Sequence, residues 1–330
     1  MDRQANTPVK SLSIWAAMIV VYIVWGSTYL AISYAIESMP PFLMASARFL
    51  LAGGILYGWR RLAGDPAPLR VEWHSAAIVG ALLLVGGNGG VVWAEQYVPS
   101  GIAALLVGSA PLWMVLIDAV RPARGSNQTL ANRRPAGLTV LGVVFGFLGI
   151  ALLVGPSQIT GISGDINLVG AGVLTLAAFL WALGSIYNRG ARLPASPLLG
   201  TGMEMLAGGF GLLLLGTLTG DWGRLDLAGI TTPSLLGFGY LVVFGALVGF
   251  AAYTWLLRVA PTPLVSTYAY VNPLVAIVLG SLIAGEPVTT RIIISTAIIL
   301  GAVALITITQ PASAKKVKPA LTTPACTGDD

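Results

Sequence analysis

The two halves of this chain carry one pattern written twice. Trp25, Pro41 and Gly53 recur as Trp181, Pro197 and Gly209, each 156 residues further on. Gly87, Trp93, Pro99 and Pro111 recur as Gly249, Trp255, Pro261 and Pro273 at a spacing of 162. Pro135 and Gly149 match Pro287 and Gly301 at a spacing of 152. Both copies are almost wholly apolar, so the repeated unit belongs in a membrane. Two such units of opposite topology let one fold adopt two alternative access states, which is how many secondary transporters are built. Transport is therefore the first function class to consider.

Composition supports the membrane setting. Only 9% of the 330 residues are charged and 56% are hydrophobic, with a mean hydropathy of +0.83. A soluble domain carries about 25% charged residues to cover its surface. A helix needs about 20 mainly apolar residues to cross the hydrocarbon. Ten segments meet this: Leu12–Ile36, Pro41–Trp59, Ser75–Tyr97, Ser100–Val120, Pro135–Gly155, Leu168–Asn188, Pro197–Thr219, Pro233–Leu257, Pro263–Ala284 and Arg291–Thr309. The first is too long for a signal-peptide core and is read as a mature span. The expected architecture is an all-α polytopic membrane protein. Residues 12–155 form the first five-helix repeat and 166–310 the second, and 311–330 form a disordered cytoplasmic tail. The boundary between repeats falls at Gly155–Asn167, a stretch of turn formers.

Positive charge orients the spans. Of 18 Lys and Arg residues, 15 fall in one set of loops: Arg3, Lys10, Arg60, Arg61, Arg70, Arg121, Arg124, Arg133, Arg134, Arg189, Arg192, Arg258, Lys315, Lys316 and Lys318. The opposite loops hold Arg224 and Arg291, and Arg48 lies within a span. This places both termini in the cytoplasm. Five spans per half is odd, so the second half enters the membrane inverted, in agreement with the repeat.

Arg48 is the one Lys or Arg well inside a span, where a charge must face protein or a water-filled cavity. It reads either as the partner of a substrate carboxylate or Glu95, or as half of a structural ion pair. Its repeat counterpart is Glu204. Asn88 and Glu95 are seven apart on one helical face. Glu95 is either solvated at the interface or a proton or ammonium site. Tyr22, Trp25 and Tyr29 share a face of the first span, Trp181 and Ser185 lie on the repeat-related span, and Tyr268 and Asn272 share a face of the ninth. Of these, Trp25, Trp181, Tyr268 and Asn272 lie near mid-membrane and either pack or line a cavity. Pro111 and Pro273 sit inside the fourth and ninth spans, where each removes a backbone hydrogen bond and bends its helix. The pairs Gly86 and Gly90, Gly142 and Gly146, and Gly245 and Gly249 allow close helix approach. Asp118 reads as a surface partner of Arg121, and Glu286 as a loop residue. Cys326 is the lone cysteine, so no intramolecular disulfide can form. With one Cys and one His, zinc chemistry is not expected, and no H-E-x-x-H or G-x-S-x-G motif supplies a metal or Ser/His mechanism.

Several stretches together resemble the drug/metabolite transporter superfamily, in particular exporters of the EamA type. They are Trp25-Gly26-Ser27-Thr28, Arg48-Phe49, Val98-Pro99-Ser100-Gly101-Ile102-Ala103-Ala104 followed by Pro111, and Gly285-Glu286-Pro287 followed by Gly301. Ala94-Glu95-Gln96 is similar to a branch of uncharacterised inner-membrane exporters. The resemblance covers residues 12 to 310. It implies ten helices around a central cavity, residence in a bacterial inner membrane, and export of small metabolites. The candidate substrate-binding residues are Trp25, Ser27, Arg48, Asn88, Glu95, Trp181, Ser185, Tyr268 and Asn272, with Pro111 and Pro273 as hinges. The expected cargo is an amino acid, aromatic or otherwise apolar, or a related amphiphile, moved by alternating access without a cofactor. The alternatives are a multidrug or toxic-compound exporter of the same fold and a gated channel. The expected partners are a small-molecule substrate and the lipid bilayer, with no nucleic acid, and the chain is expected to be a monomer or weak dimer.

Overall fold

In the bilayer every backbone polar group must be satisfied within its own segment, which leaves a chain this apolar with helices. A computed structural model describes residues 11–120, 137–154, 166–260, 262–265 and 267–309, and among them the regular structure is helical throughout. The elements are α1 (Ser11–Ile36), α2 (Pro41–Leu62), α3 (Arg70–Ala94), α4 (Ser100–Val107 and Ala110–Val120), α5 (Gly137–Val154), α6 (Leu168–Asn188), α7 (Pro197–Leu218), α8 (Thr232–Tyr240, Leu241–Val248 and Gly249–Val259), α9 (Tyr268–Ala284) and α10 (Thr290–Thr309). Nine of them are long and apolar enough to span, and α9, with 17 residues, is shorter. The termini, Pro135, Pro261 and all but the last two residues of the stretch between the repeats lie outside the described residues.

The packing obeys the repeat. The most extensive contact joins α2 to α7, which are equivalent helices, and the next joins α5 to α10, again equivalent. α1 packs on α8 and α9 of the other half, and α6 packs on α3 and α4 in the same way. α4 crosses its own equivalent, α9. Helix for helix, each repeat buries itself against the other. The core is the interface between them, so neither half has a closed interior of its own.

Loop chemistry follows the same rule. Gly64 and Gly220, 156 apart, end α2 and α7 with φ of 96° and 79°, a left-handed turn that glycine adopts without strain. The aspartate after each reaches the start of the other helix. Asp221 is 2% exposed and accepts from the backbone N–H groups of Phe42 (3.0 Å) and Leu43 (3.4 Å) at the beginning of α2. Asp65 is ion-paired with Arg60 at 2.7 Å and hydrogen-bonded to Ser196, which immediately precedes Pro197 of α7. These bonds, from Arg60 first and Ser196 second, hold the Asp65 carboxyl below its ordinary range. Each carboxylate sits at a helix start, where unpaired N–H groups favour negative charge.

Three sequence expectations need correction, and a fourth, the partner of Asp118, falls partly outside the described residues. α4 is not one helix kinked at Pro111: it stops at Val107, turns through Gly108 and Ser109, and restarts at Ala110, so Pro111 lies in a first turn, where its missing N–H is harmless. The ninth span is not continuous from Pro263, because one turn at Thr262–Val265 precedes α9. Asp118 pairs with Arg189 at 3.9 Å, while Arg121 lies outside the described residues. Glu286 is no idle loop residue: its carboxylate accepts from the N–H groups of Ser100 (2.8 Å) and Gly101 (3.0 Å), which tethers the α9–α10 loop to the start of α4.

Candidate functional site

A cavity of about 130 Å³ lies where the repeats meet, walled by α1, α2, α3, α4, α6, α8 and α9. Backbone irregularities cluster around it. Both α3 and α8 contain a π-helical stretch, Ala81–Asn88 and Leu241–Val248, in equivalent parts of the two repeats. Widened turns of this kind recur at functional sites. They bring Gly87, Asn88 and Gly245 to the wall. The break in α4 does the same for Val107 and Gly108. Pro273 has no N–H to offer the carbonyl of Ala269, and Ala269 also faces the cavity. Gly108 packs so closely on Pro273 that an added Cβ would lie 2.9 Å from its ring, which places the break in α4 against the bend in α9.

Two tryptophans face each other through this symmetry. Trp25 of the first repeat rests on Gly249 of the second, and Trp181 of the second rests on Gly87 of the first. A Cβ on Gly87 would lie 2.9 Å from Cε3 of Trp181, and one on Gly249 would lie 2.9 Å from Cδ1 of Trp25. Trp25 also donates its Nε1–H to the carbonyl of Gly245 at 3.3 Å. Its ring lies 5.3 Å from Phe250, 5.0 Å from Tyr253 and 5.3 Å from Tyr268, centroid to centroid. The Phe250 and Tyr268 contacts are edge-on, the favourable arrangement for aromatic quadrupoles. Trp25, Phe250 and Tyr268 thus give the cavity an aromatic box.

The same lining carries polar groups, and Arg48 and Trp25 both reach Gly245. Arg48 is 3% exposed, with its guanidinium 4.7 Å from the Phe49 ring centroid, and it packs against Gly245. Its Nε and Nη1 have no hydrogen-bond partner among the described residues. Asn88 offers a side-chain oxygen that is likewise unpartnered. Asn272 is tied down, since its amide nitrogen is placed to donate to the carbonyls of Tyr22 (3.3 Å) and Tyr268 (3.2 Å).

Of the residues singled out from sequence, Trp25, Arg48, Asn88, Trp181, Tyr268, Asn272, Pro111 and Pro273 line the cavity. Ser27 does not. Its hydroxyl bonds the carbonyl of Val24 at 3.0 Å and the Tyr240 hydroxyl at 2.6 Å, on a different face of α1. Ser185 is also elsewhere and donates to the carbonyl of Trp181 at 2.7 Å. Glu95 is not part of the lining, and it is not solvated either: it is 8% exposed and neither carboxylate oxygen has a partner among the described residues. Glu204, the repeat mate of Arg48, lies away from the cavity. The wall also contains Thr28, Tyr29, Phe49, Met114 and Phe250, which the sequence reading did not assign to it. Tyr29 shows a signal in sequence, four residues from Trp25, whereas Met114 and Phe250 show none. The glycine pairs act in packing: Gly86 and Gly90 seat Leu180 and Ala177 of α6, and Gly142 and Gly146 seat Ile306 and Leu112. Among the described residues no three His, Cys, Asp or Glu side chains gather into a metal site.

Comparison with known proteins gives this geometry a context. The model of the EamA-like transporter family matches residues 12–155 and again 168–308. The chain is 36% identical over 301 residues to an uncharacterized inner membrane transporter, YedA, of Escherichia coli K12, covering 90% of this chain and 91% of that one. It is 25% identical over 299 residues to protein PecM of Dickeya dadantii, covering 90% and 93%. A solved crystal structure 20% identical to it superimposes with a TM-score of 0.57 over 90% of this chain and 97% of that one, which shows a shared fold.

Proposed function

The chain belongs to the EamA-like transporter family of the drug/metabolite transporter superfamily, and from that premise we propose that it exports small metabolites, namely aromatic or other apolar amino acids or related amphiphiles, across a bacterial inner membrane by alternating access. The observation that carries this reading is the pairing of an aromatic box with a buried, under-bonded arginine in one cavity at the interface of two inverted repeats. The box accepts an apolar or aromatic side chain, and Arg48 accepts a carboxylate, whose two oxygens match its planar fork. Asn88 supplies an acceptor for an ammonium or hydroxyl.

The inverted repeat supports a carrier over a channel, because rocking one repeat against the other reverses access around a fixed site. An enzymatic role lacks support, since the cavity gathers no nucleophile and base.

The test is a solute panel in inverted membrane vesicles: phenylalanine, leucine, lysine, phenylethylamine and a bulky cationic dye, with saturation and counterflow measured for each. The expected result is saturable, counterflow-competent transport of phenylalanine or leucine, with phenylethylamine poorly carried. Transport of the dye alone, or flux that never saturates, would overturn the reading. In Arg48→Gln the carboxylate solutes should lose most of their flux while the folded yield survives.

A further inference from the structure

Two buried groups of opposite charge lie on helices that pack together, α2 and the end of α3, without forming an ion pair among the described residues. Glu95 ends α3, and among the described residues neither of its oxygens is bonded, nor are two nitrogens of Arg48 in α2. Their atoms do not come within ion-pair distance, yet each lies within the field of the other. An ionised carboxylate with no hydrogen bond and no water is strongly disfavoured, and such a group takes up a proton instead. An arginine cannot relieve itself in this way, because its guanidinium keeps its proton.

The neighbours of Glu95 point the same way. Tyr29 of α1 presents a phenol. Glu286, in the loop before α10, lies within reach of its charge and is engaged as an acceptor of two backbone N–H groups at the start of α4. Arg48 of α2 is the cation whose charge acts on Glu95. α6 packs along the same stretch of α3, and its one titratable side chain, Tyr187, is at its far end.

We propose that Glu95 is a proton-binding site whose occupancy is linked to that of the cavity. With Glu95 protonated, Arg48 is the uncompensated cation of the cavity and binds an anionic group of the solute. With Glu95 ionised, the carboxylate compensates Arg48 and the anion leaves. Proton and anion therefore reinforce each other's binding, and the effect is reciprocal. The inference rests on the reading of Arg48 as a carboxylate site, and it adds the group that regulates it.

The experiment uses the purified full chain in nanodiscs, with benzoate as the probe and benzyl alcohol as its neutral control. Binding is followed by quenching of the tryptophan emission, from mildly acidic to alkaline pH, where benzoate stays ionised throughout. The expected result is that benzoate affinity falls with rising pH, by up to about tenfold per pH unit once Glu95 titrates. Benzyl alcohol should show no such trend, and Glu95→Gln should bind benzoate with equal affinity at every pH. Benzoate binding that is independent of pH in the wild type, or a trend that persists in Glu95→Gln, overturns the linkage and leaves the transport reading standing. No benzoate binding at any pH overturns the carboxylate reading itself. Should Glu95→Gln fail to fold, infrared spectroscopy of the wild type decides: the band of a protonated carboxyl should vanish at alkaline pH, and benzoate should move its loss to higher pH. A band unmoved by benzoate, or the lack of one, overturns the proposal.

Discussion

Consider an alanine at Gly87 or Gly249. Each glycine is the seat of a cavity tryptophan from the opposite repeat. The added methyl carbon would sit 2.9 Å from Cε3 of Trp181 in one case; in the other it would press closest on Nε1 of Trp25, with Cδ1 at 2.9 Å, the tighter of the two. Carbon atoms rest at about 3.5–4.0 Å, so the ring must retreat by about 0.5 Å or more, or the helices must part. Overpacking of this kind costs about 1–3 kcal/mol in a filled core. Here the ring can retreat into the cavity, so part of the strain should appear as lost binding volume and only part as lost stability. For Gly249→Ala the retreat also strains the Trp25 bond to the Gly245 carbonyl. The assay measures detergent-purified melting temperature, tryptophan emission and solute counterflow side by side, with Gly54→Ala as control, since nothing lies within 4 Å of a Cβ there. Both cavity variants should shift the emission and reduce counterflow, with a modest fall in melting temperature. The control should resemble the wild type. Unchanged emission and counterflow in both variants would refute the cross-repeat seating of the tryptophans.

Other expectations concern the rest of the fold. Asp221→Ala strands the buried N–H groups of Phe42 and Leu43 and should cost about 1–3 kcal/mol of stability, visible in the melting temperature. Its repeat mate Asp65 is less buried, with 15% of its side chain exposed against 2%, so Asp65→Ala should cost less, and equal losses would contradict the difference in burial. Because native bonds lower the Asp65 carboxyl, it stabilises the fold above its unfolded value of 3.8, and this contribution should disappear as pH falls below that value and be absent in Asp65→Asn. A reporter active only in the periplasm, fused after Gln310, should give no signal, as the loop charges require. A strong signal would overturn that topology. Trp25→Ala or Trp181→Ala should reduce counterflow far more than membrane yield, and a parallel loss of both would reduce these residues to packing.

Much of this protein is determined by sequence alone. A bilayer demands about 20 apolar residues per crossing and a closed set of backbone hydrogen bonds, so the number of helices and their hairpin order follow from local composition. The repeat is a matter of spacing, and it singled out Trp25, Trp181 and the depth of Arg48. What sequence could not supply is which face of each helix turns inward. α1, α5 and α8 are apolar nearly all round, so their periodicity separates faces without ranking them. Ser27 and Thr28 look equivalent in sequence, yet Thr28 lines the cavity and Ser27 bonds Tyr240. The π-helical stretches of α3 and α8 and the break in α4 arise where helices must fit one another, and no residue by itself dictates them. The burial of Glu95, and the capping of distant helices by Asp221 and Glu286, depend on groups that meet only once both repeats have closed. Tertiary structure decided these because each is a contact between the halves, and the interior of this protein is the surface along which its two halves meet.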